Sequence, residues 1–333
     1  MTKITVAGTI VVDAINIIDH YPRIGMLADI KARELCVGGA VPNVSIDLAT
    51  LGMDVHAVGR VGADNEGTFV CETLKNAGID TKHIIVSNRD PTSFSNVMTV
   101  ESTGERTFFA TRGANVRFCE ADIPNSVLDC SVFHIGYLLL LDMLDMHDAE
   151  FGTAMARLLA HIQERGIKTS IDVVSGQYDL FQQVVLPALP FCDYVFMNEI
   201  EASYSTGIEI RDPSGNLRIE NVPPILSALY NRGSRSVIVH CPEAGFMMSS
   251  SGYTVVPSFE LPAAYIKNTV GAGDAFCAGA LYGITHGFSD SDLLAFASSC
   301  AAANLASNTS IGGALSVSDT EELVKQFNRR RLC

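Results

Sequence analysis

The 333-residue chain is 47% hydrophobic and 18% charged, with a mean hydropathy of +0.23, so it can bury a sizeable core and is not a disordered polymer. Its 23 Lys and Arg against 37 Asp and Glu leave a net charge of −14 and a pI near 4.9, which argues against nucleic-acid and anionic-membrane binding, since both require basic surface. The start, MTKITVAGTIVVDAI, lacks the pattern of a signal peptide, and Asp142 interrupts the apolar run Tyr137 to Leu141 far short of a membrane span; a cytoplasmic protein is expected.

In chain order, the β-branched run Ile4 to Val12 reads as one buried strand. Val44, Leu48 and Leu51 at i, i+4, i+7 predict a helix over Val41 to Leu51, ended by Gly52. A strand at Val55 to Val58 and a helix near Thr68 to Asn76 follow. Further on come a strand at Val132 to Ile135 and a helix at Ala149 to Glu164. Strands at Lys168 to Val173, Tyr194 to Met197 and Ser236 to His240 are separated by helical segments. The tail is helical at Ala275 to His286, Ser289 to Ala306 and Ser318 to Arg329. This alternation predicts an α/β fold in three layers, a mostly parallel sheet with helices on both faces. Two stretches break the rhythm. Residues 14–37 are too long for an ordinary βα loop, and residues 92–118 contain a hairpin of Ser93 to Val100 and Thr107 to Thr111. Together they predict a small β lid on a single domain spanning 1–333. Nine cysteines, with no CxxC pair, read as reduced thiols rather than a zinc or disulfide framework.

Four clusters can carry chemistry. Asn268-Thr269-Val270-Gly271-Ala272-Gly273-Asp274 enters a helix through small residues, so that free N–H groups and the helix dipole favour an anion. Asp274 in its first turn would repel a phosphate unless it serves as a base or approaches a metal. The loop matches neither GxxxxGK[ST] nor GxGxxG, which disfavours a dinucleotide-dependent oxidoreductase. Gly38-Gly39-Ala40-Val41-Pro42-Asn43 lets backbone approach a ligand and offers an amide to a hydroxyl. Asp13 follows the first strand, where open α/β sheets place ligands. Asn198-Glu199-Ile200-Glu201 follows another strand and offers oxygens suited to Mg²⁺; the same residues also suit a capping box.

Gly38-Gly39-x-x-x-Asn43 and Asn268-Thr269-x-Gly271-Ala272-Gly273-Asp274-x-Phe276-x-Ala278-Gly279 resemble the two signatures of the ribokinase-like (PfkB) carbohydrate kinases. Gly8 with Asp13, Val61 to Gly67, Gly104-Glu105-Arg106-Thr107 and Asn198-x-x-Glu201 extend the resemblance over nearly the whole chain, in family order. The resemblance implies a ribokinase-like fold and an ATP-dependent sugar kinase. Asp274 would be the base, with the amides of Gly271, Ala272 and Gly273 as anion hole. Asp13, Gly39 and Asn43, with Arg106 from the lid, would bind sugar hydroxyls. Asn198 and Glu201 would hold Mg²⁺, and these two with Thr269 and Gly273 would line the ATP site. Asn268 stands where the family usually has the Asp of a monovalent-cation (K⁺) site, which weakens the expectation of potassium dependence. A homodimer through the lid is a further implication. A fructose- or ribose-like sugar is expected. A sugar acid such as 2-keto-3-deoxygluconate, a nucleoside, and a non-catalytic nucleotide- or sugar-binding protein remain as alternatives. Charge in the lid decides little: residues 14–36 balance, and residues 91–118 carry Arg106, Arg112 and Arg117 against Glu101 and Glu105.

Overall fold

The structure is a computed structural model and describes residues 3–176 and 180–332. β1 (Lys3–Gly8) starts a main sheet, while β2 (Val11–Ile18) and β3 (Ile30–Gly38) form a hairpin in a second one. α1 (Ala40–Thr50), β4 (Asp54–Gly62), α2 (Asn65–Asn76) and β5 (Ile84–Ser87) return to the main sheet; β6 (Phe94–Val100) and β7 (Arg106–Thr111) rejoin the second. β8 (Val132–Leu138), the single turn α3 (Asp142–Asp145) and a ribbon of β9 (His147–Asp148) and β10 (Gly152–Thr153) lead into α4 (Ala154–Gln163) and β11 (Lys168–Val173). After α5 (Leu186–Ala188) come β12 (Tyr194–Asn198), α6 (Glu199–Thr206), α7 (Val222–Tyr230), β13 (Ser236–His240), β14 (Ala244–Ser249) and β15 (Gly252–Pro257). α8 (Ala272–His286), α9 (Asp290–Leu305) and α10 (Val317–Val324) close the chain.

The main sheet runs β15-β14-β13-β12-β11-β8-β1-β4-β5, parallel except for the antiparallel pairs β13–β14 and β14–β15. Strand residues alternate between two apolar layers. Phe133, Ile135, Ile171, Val195 and Val237 pack under α4 and α7, whereas Val132, Phe196 and Ile238 pack under α1, α8 and α9. Each fully buried Phe, Ile or Leu contributes about 2 kcal/mol, so the two layers hold the sheet between them. From β1 the chain first moves outward to β4 and β5, then crosses to β8 and on to β13. This reversal opens a crevice at the carboxyl ends of β1 and β8, where ligands of such sheets bind.

The second sheet, ordered β3-β2-β6-β7, covers that end and corresponds to the two stretches expected to form a lid, with one correction. The run Ile4 to Val12 is not one strand. Gly8 sits at φ +122°, and a Cβ there would run into the carbonyl oxygen of Gly136. The chain turns through Thr9, whose N–H donates to that oxygen at 2.7 Å, so Val11 and Val12 belong to the second sheet. Two helices are also shorter than their periodicity suggests. Gly152, at φ +86°, and the N-cap Thr153, whose hydroxyl accepts from Ala156 N–H at 3.1 Å, start α4 at Ala154 rather than Ala149. α10 stops at Val324, and Arg329 instead stacks over the Phe259 ring at 4.4 Å. The eight cysteines among the described residues are free thiols; Cys333 lies outside them. Among the described residues no helix is long and apolar enough to cross a membrane.

Candidate functional site

Gly271 caps α8 in the left-handed region, φ +80°, a conformation that favours glycine; a Cβ here would also strike the Ser310 carbonyl. Among the described residues no side chain caps this end, and no acceptor takes the N–H of Gly271 or Gly273. Those amides point out of the helix start and, with its dipole, form an anion site. Ala272, expected to share in it, differs: its N–H turns back to the Thr269 carbonyl over a long 3.4 Å.

Asp274, 7% exposed, stands one residue further along. Its Oδ2 accepts from Asn43 Nδ2 at 2.8 Å and its Oδ1 from the Tyr137 hydroxyl at 2.6 Å. Burial pushes its carboxyl up to about 6, and the bonds from Tyr137 and Asn43 pull against that rise. Asn43 reaches it because α1 starts at Gly39, at φ +87°, where a Cβ would lie 2.7 Å from Thr9 oxygen. The Oδ1 of Asn43 is buried without a partner among the described residues, so it can accept from a bound hydroxyl. Asp13 projects from β2 toward the same place. Burial raises it to about 6 against a hydrogen bond from Ser95, and the charge of Asp274 adds to the rise. Gly38 leaves room for the Asp13 carboxylate, since a Cβ would overlap its Oδ2.

Arg106 is not gathered with these groups. It pairs with Thr99 on the face that carries Asp13, but four residues along β7 from Ala110, the partner of Ser95, so roughly 13 Å away along the sheet. It is half-buried, burial lowers its pKa, and no carboxylate among the described residues pairs with it.

On the far side of α8 a cavity of about 610 Å³ is lined by Asn198, His240, Phe259, Thr269, Gly273 and Phe276, among others. Asn198 and Glu201 do form the capping box: Asn198 Oδ1 accepts from the N–H of Ile200 and Glu201 at 2.9 Å each, and Glu201 Oε2 accepts from Asn198 N–H at 2.8 Å. Glu201 Oε1 takes Ser175 Oγ and Asn198 Nδ2, both at 2.8 Å. Burial raises Glu201 to about 7. Asn198 lines the cavity and Glu201 is bonded to it from behind, an oxygen-rich pair that suits Mg²⁺. Because these oxygens already accept hydrogen bonds, the fit is through the waters that this ion retains. Asn268 is buried, accepting from Val270 N–H at 2.9 Å and donating to Asn308 oxygen at 3.1 Å; that amide donor uses a carbonyl a cation would want, so the residues present do not fit K⁺.

Three participants escape a reading of the sequence alone: Tyr137, Asp172 and His240, at or near the carboxyl ends of β8, β11 and β13. A polar residue at or next to the last position of a strand is the signal that finds each. Asp172 is pushed well up by burial and by Asp274 and Glu201 nearby. His240, driven down to about 4 by burial, is a neutral ring 5.1 Å from that of Phe276.

A family model described as pfkB family carbohydrate kinase matches residues 1–315. The chain is 29% identical over 298 residues to a fructokinase of Klebsiella pneumoniae, covering 86% of each. It is 24% identical over 301 residues to a ribokinase of Arabidopsis thaliana, covering 90% of this chain and 74% of that one. Its fold matches the structure of Arabidopsis thaliana ribokinase complexed with ribose and ATP with a TM-score of 0.80, at 21% identity and over 98% and 99% of the two chains.

Proposed function

The chain belongs to the pfkB family of carbohydrate kinases, and from that membership we propose that it transfers the γ-phosphoryl group of ATP to a hydroxymethyl group of a small neutral, fructose- or ribose-like carbohydrate, with Asp274 as base. The observation that carries this reading is the buried Asp274 carboxylate beside the unpaired amides of Gly271 and Gly273: a proton acceptor and an anion site at one helix start. The sugar lies between Asp13 and the free Oδ1 of Asn43, which accept its hydroxyl protons. Asp274 takes the proton of the attacking hydroxyl while the amides stabilise charge on the transferring group. ATP occupies the 610 Å³ cavity, with Thr269 and Gly273 toward its phosphates. Asn198 and Glu201 hold Mg²⁺ through water; when bound, the ion neutralises phosphate charge. The second sheet acts as a lid that excludes water, the competing acceptor.

The test is ADP release from Mg·ATP across sugars, sugar acids and nucleosides. One neutral sugar standing out supports the proposal. Preference for a sugar acid or for a nucleoside would overturn the neutral-sugar assignment. Stabilisation by Mg·ATP with no turnover of any compound would favour a binding protein.

Three expectations follow from the same geometry. Tyr137→Phe removes a hydrogen bond that favours the Asp274 carboxylate, so the acid limb of the rate–pH profile moves to higher pH while kcat at pH 8 changes less than about tenfold. An unmoved limb would separate Tyr137 from the base. Because Asn268 lacks a carboxylate, rates in potassium and sodium buffers should agree within about twofold; strong potassium activation would refute this. Phe108 and Phe109 on the edge strand β7, and Ile30 and Leu35 on the opposite edge β3, are 45–57% exposed, which supports a homodimer through the lid. Light scattering should give twice 35.7 kDa; a monomer at working concentration would sink the dimer.

A further inference from the structure

On the sheet face beneath α8 a polar cluster lies at β8 and β11. His134 on β8 and Ser170 on β11 are paired neighbours, Asp172 lies two residues on along β11, and Cys277 descends from α8 above them. His134 is 0% exposed, Cys277 1% and Asp172 6%. One ligand atom from each of His134, Asp172 and Cys277 lies within 4.8 Å of the others, with Cys277 Sγ and His134 Nε2 3.8 Å apart. We propose that these three residues form a binding site for a zinc-class divalent ion, a clip that fastens α8 to β8 and β11 beneath Asp274.

The geometry suits such an ion. Four-coordinate zinc, with bonds of about 2.0–2.3 Å to N, O and S, wants its ligand atoms roughly 3.3–3.8 Å apart. The Cys–His spacing of 3.8 Å meets this, and the three ligand atoms lie within 4.8 Å of one another, supplying three of the four ligands. The supporting contacts are also present. His134 Nδ1 meets Ser170 Oγ at 3.0 Å, and with Nδ1–H donating there, Nε2 keeps its lone pair toward Cys277. The Asp172 Oδ1 accepts from Val173 N–H at 2.8 Å, which orients the carboxyl. Thiolate, imidazole and carboxylate together select a borderline-soft metal over Mg²⁺ or Ca²⁺. Burial pushes the Cys277 thiol and the Asp172 carboxyl up and the His134 ring down to about 3. An ion there would bind the thiolate and carboxylate forms, displacing any proton they hold.

The site does not depend on which sugar is phosphorylated, and its test needs no turnover. Protein stripped with chelator and dialysed against micromolar Zn²⁺ in excess Mg²⁺ should retain about one equivalent by elemental analysis. Its melting temperature should rise by about 4 °C at a hundredfold excess over Kd. Co²⁺ should give a thiolate charge-transfer band with tetrahedral visible bands, and Cys277→Ser should abolish the charge-transfer band. Asp172→Asn, which keeps shape and thiol, should weaken binding at least about tenfold; it serves if the serine variant fails to fold. Retention of well under one equivalent by the parent protein, or a Co²⁺ thiolate band that survives Cys277→Ser, overturns the proposal.

Discussion

Replacing Asp274 by Asn should lower kcat at least about 10²-fold while the protein stays folded and still binds Mg·ATP. The substitution preserves shape but removes the only function proposed for this carboxylate, acceptance of a proton from the attacking hydroxyl. Its neighbours sharpen the expectation. Tyr137 can still donate to an amide oxygen, whereas Asn43 Nδ2, now 2.8 Å from Oδ2, would face an amide nitrogen unless one group flips. The parent enzyme supplies the control. A base must be ionised to act, and burial holds Asp274 at about 6. Its active form is therefore present above that pH and is lost as pH falls through it, so kcat/KM should drop about tenfold per unit below pH 6. In Asp274→Asn the residual rate should lose that limb. A variant as active as the parent would remove Asp274 from the mechanism whatever the substrate.

Gly271→Ala is expected to cost about 10²-fold in kcat by a different route. The new methyl would strike the Ser310 carbonyl, and a left-handed φ of +80° disfavours any side chain. The loop must shift, and the amides of Gly271 and Gly273 leave the position where charge develops. The strain should also lower the melting temperature by about 1.5–3 °C, as a cost of about 1–2 kcal/mol implies. Activity per folded molecule separates the two effects. If that value equals the parent's, the loop is a packing feature rather than an anion hole.

Much of the site is legible in the chain because its parts are local. Gly271-Ala272-Gly273-Asp274 sets a helix start, its dipole and the first-turn carboxylate within four residues, and the structure delivers all three. The capping box of Asn198 and Glu201 is local in the same way. What failed was decided by contacts far away in sequence. Nothing between Ile4 and Val12 says that the strand ends at Gly8; the carbonyl of Gly136, brought alongside by β8, forbids a straight path. Arg106 shares a motif with Gly104 and Thr107, yet the pairing of β7 with β6 sets it four residues along β7 from Ala110, the partner of Ser95 beside Asp13.

Composition, periodicity and motif order by themselves determined the α/β class, the alternation of strand and helix, and the chemical character of the loop at 268–274, because each depends on residues within a few turns or strands of chain. Only the tertiary structure could decide that Asn43 and Tyr137, 231 and 137 positions from Asp274, grip its two oxygens. It alone also decides that burial lifts this carboxyl into a useful range and that His134 and Asp172 meet Cys277 beneath it. Hydrogen bonds and desolvation act through space over a few ångströms, and the topology of the sheet selects which distant residues come that close.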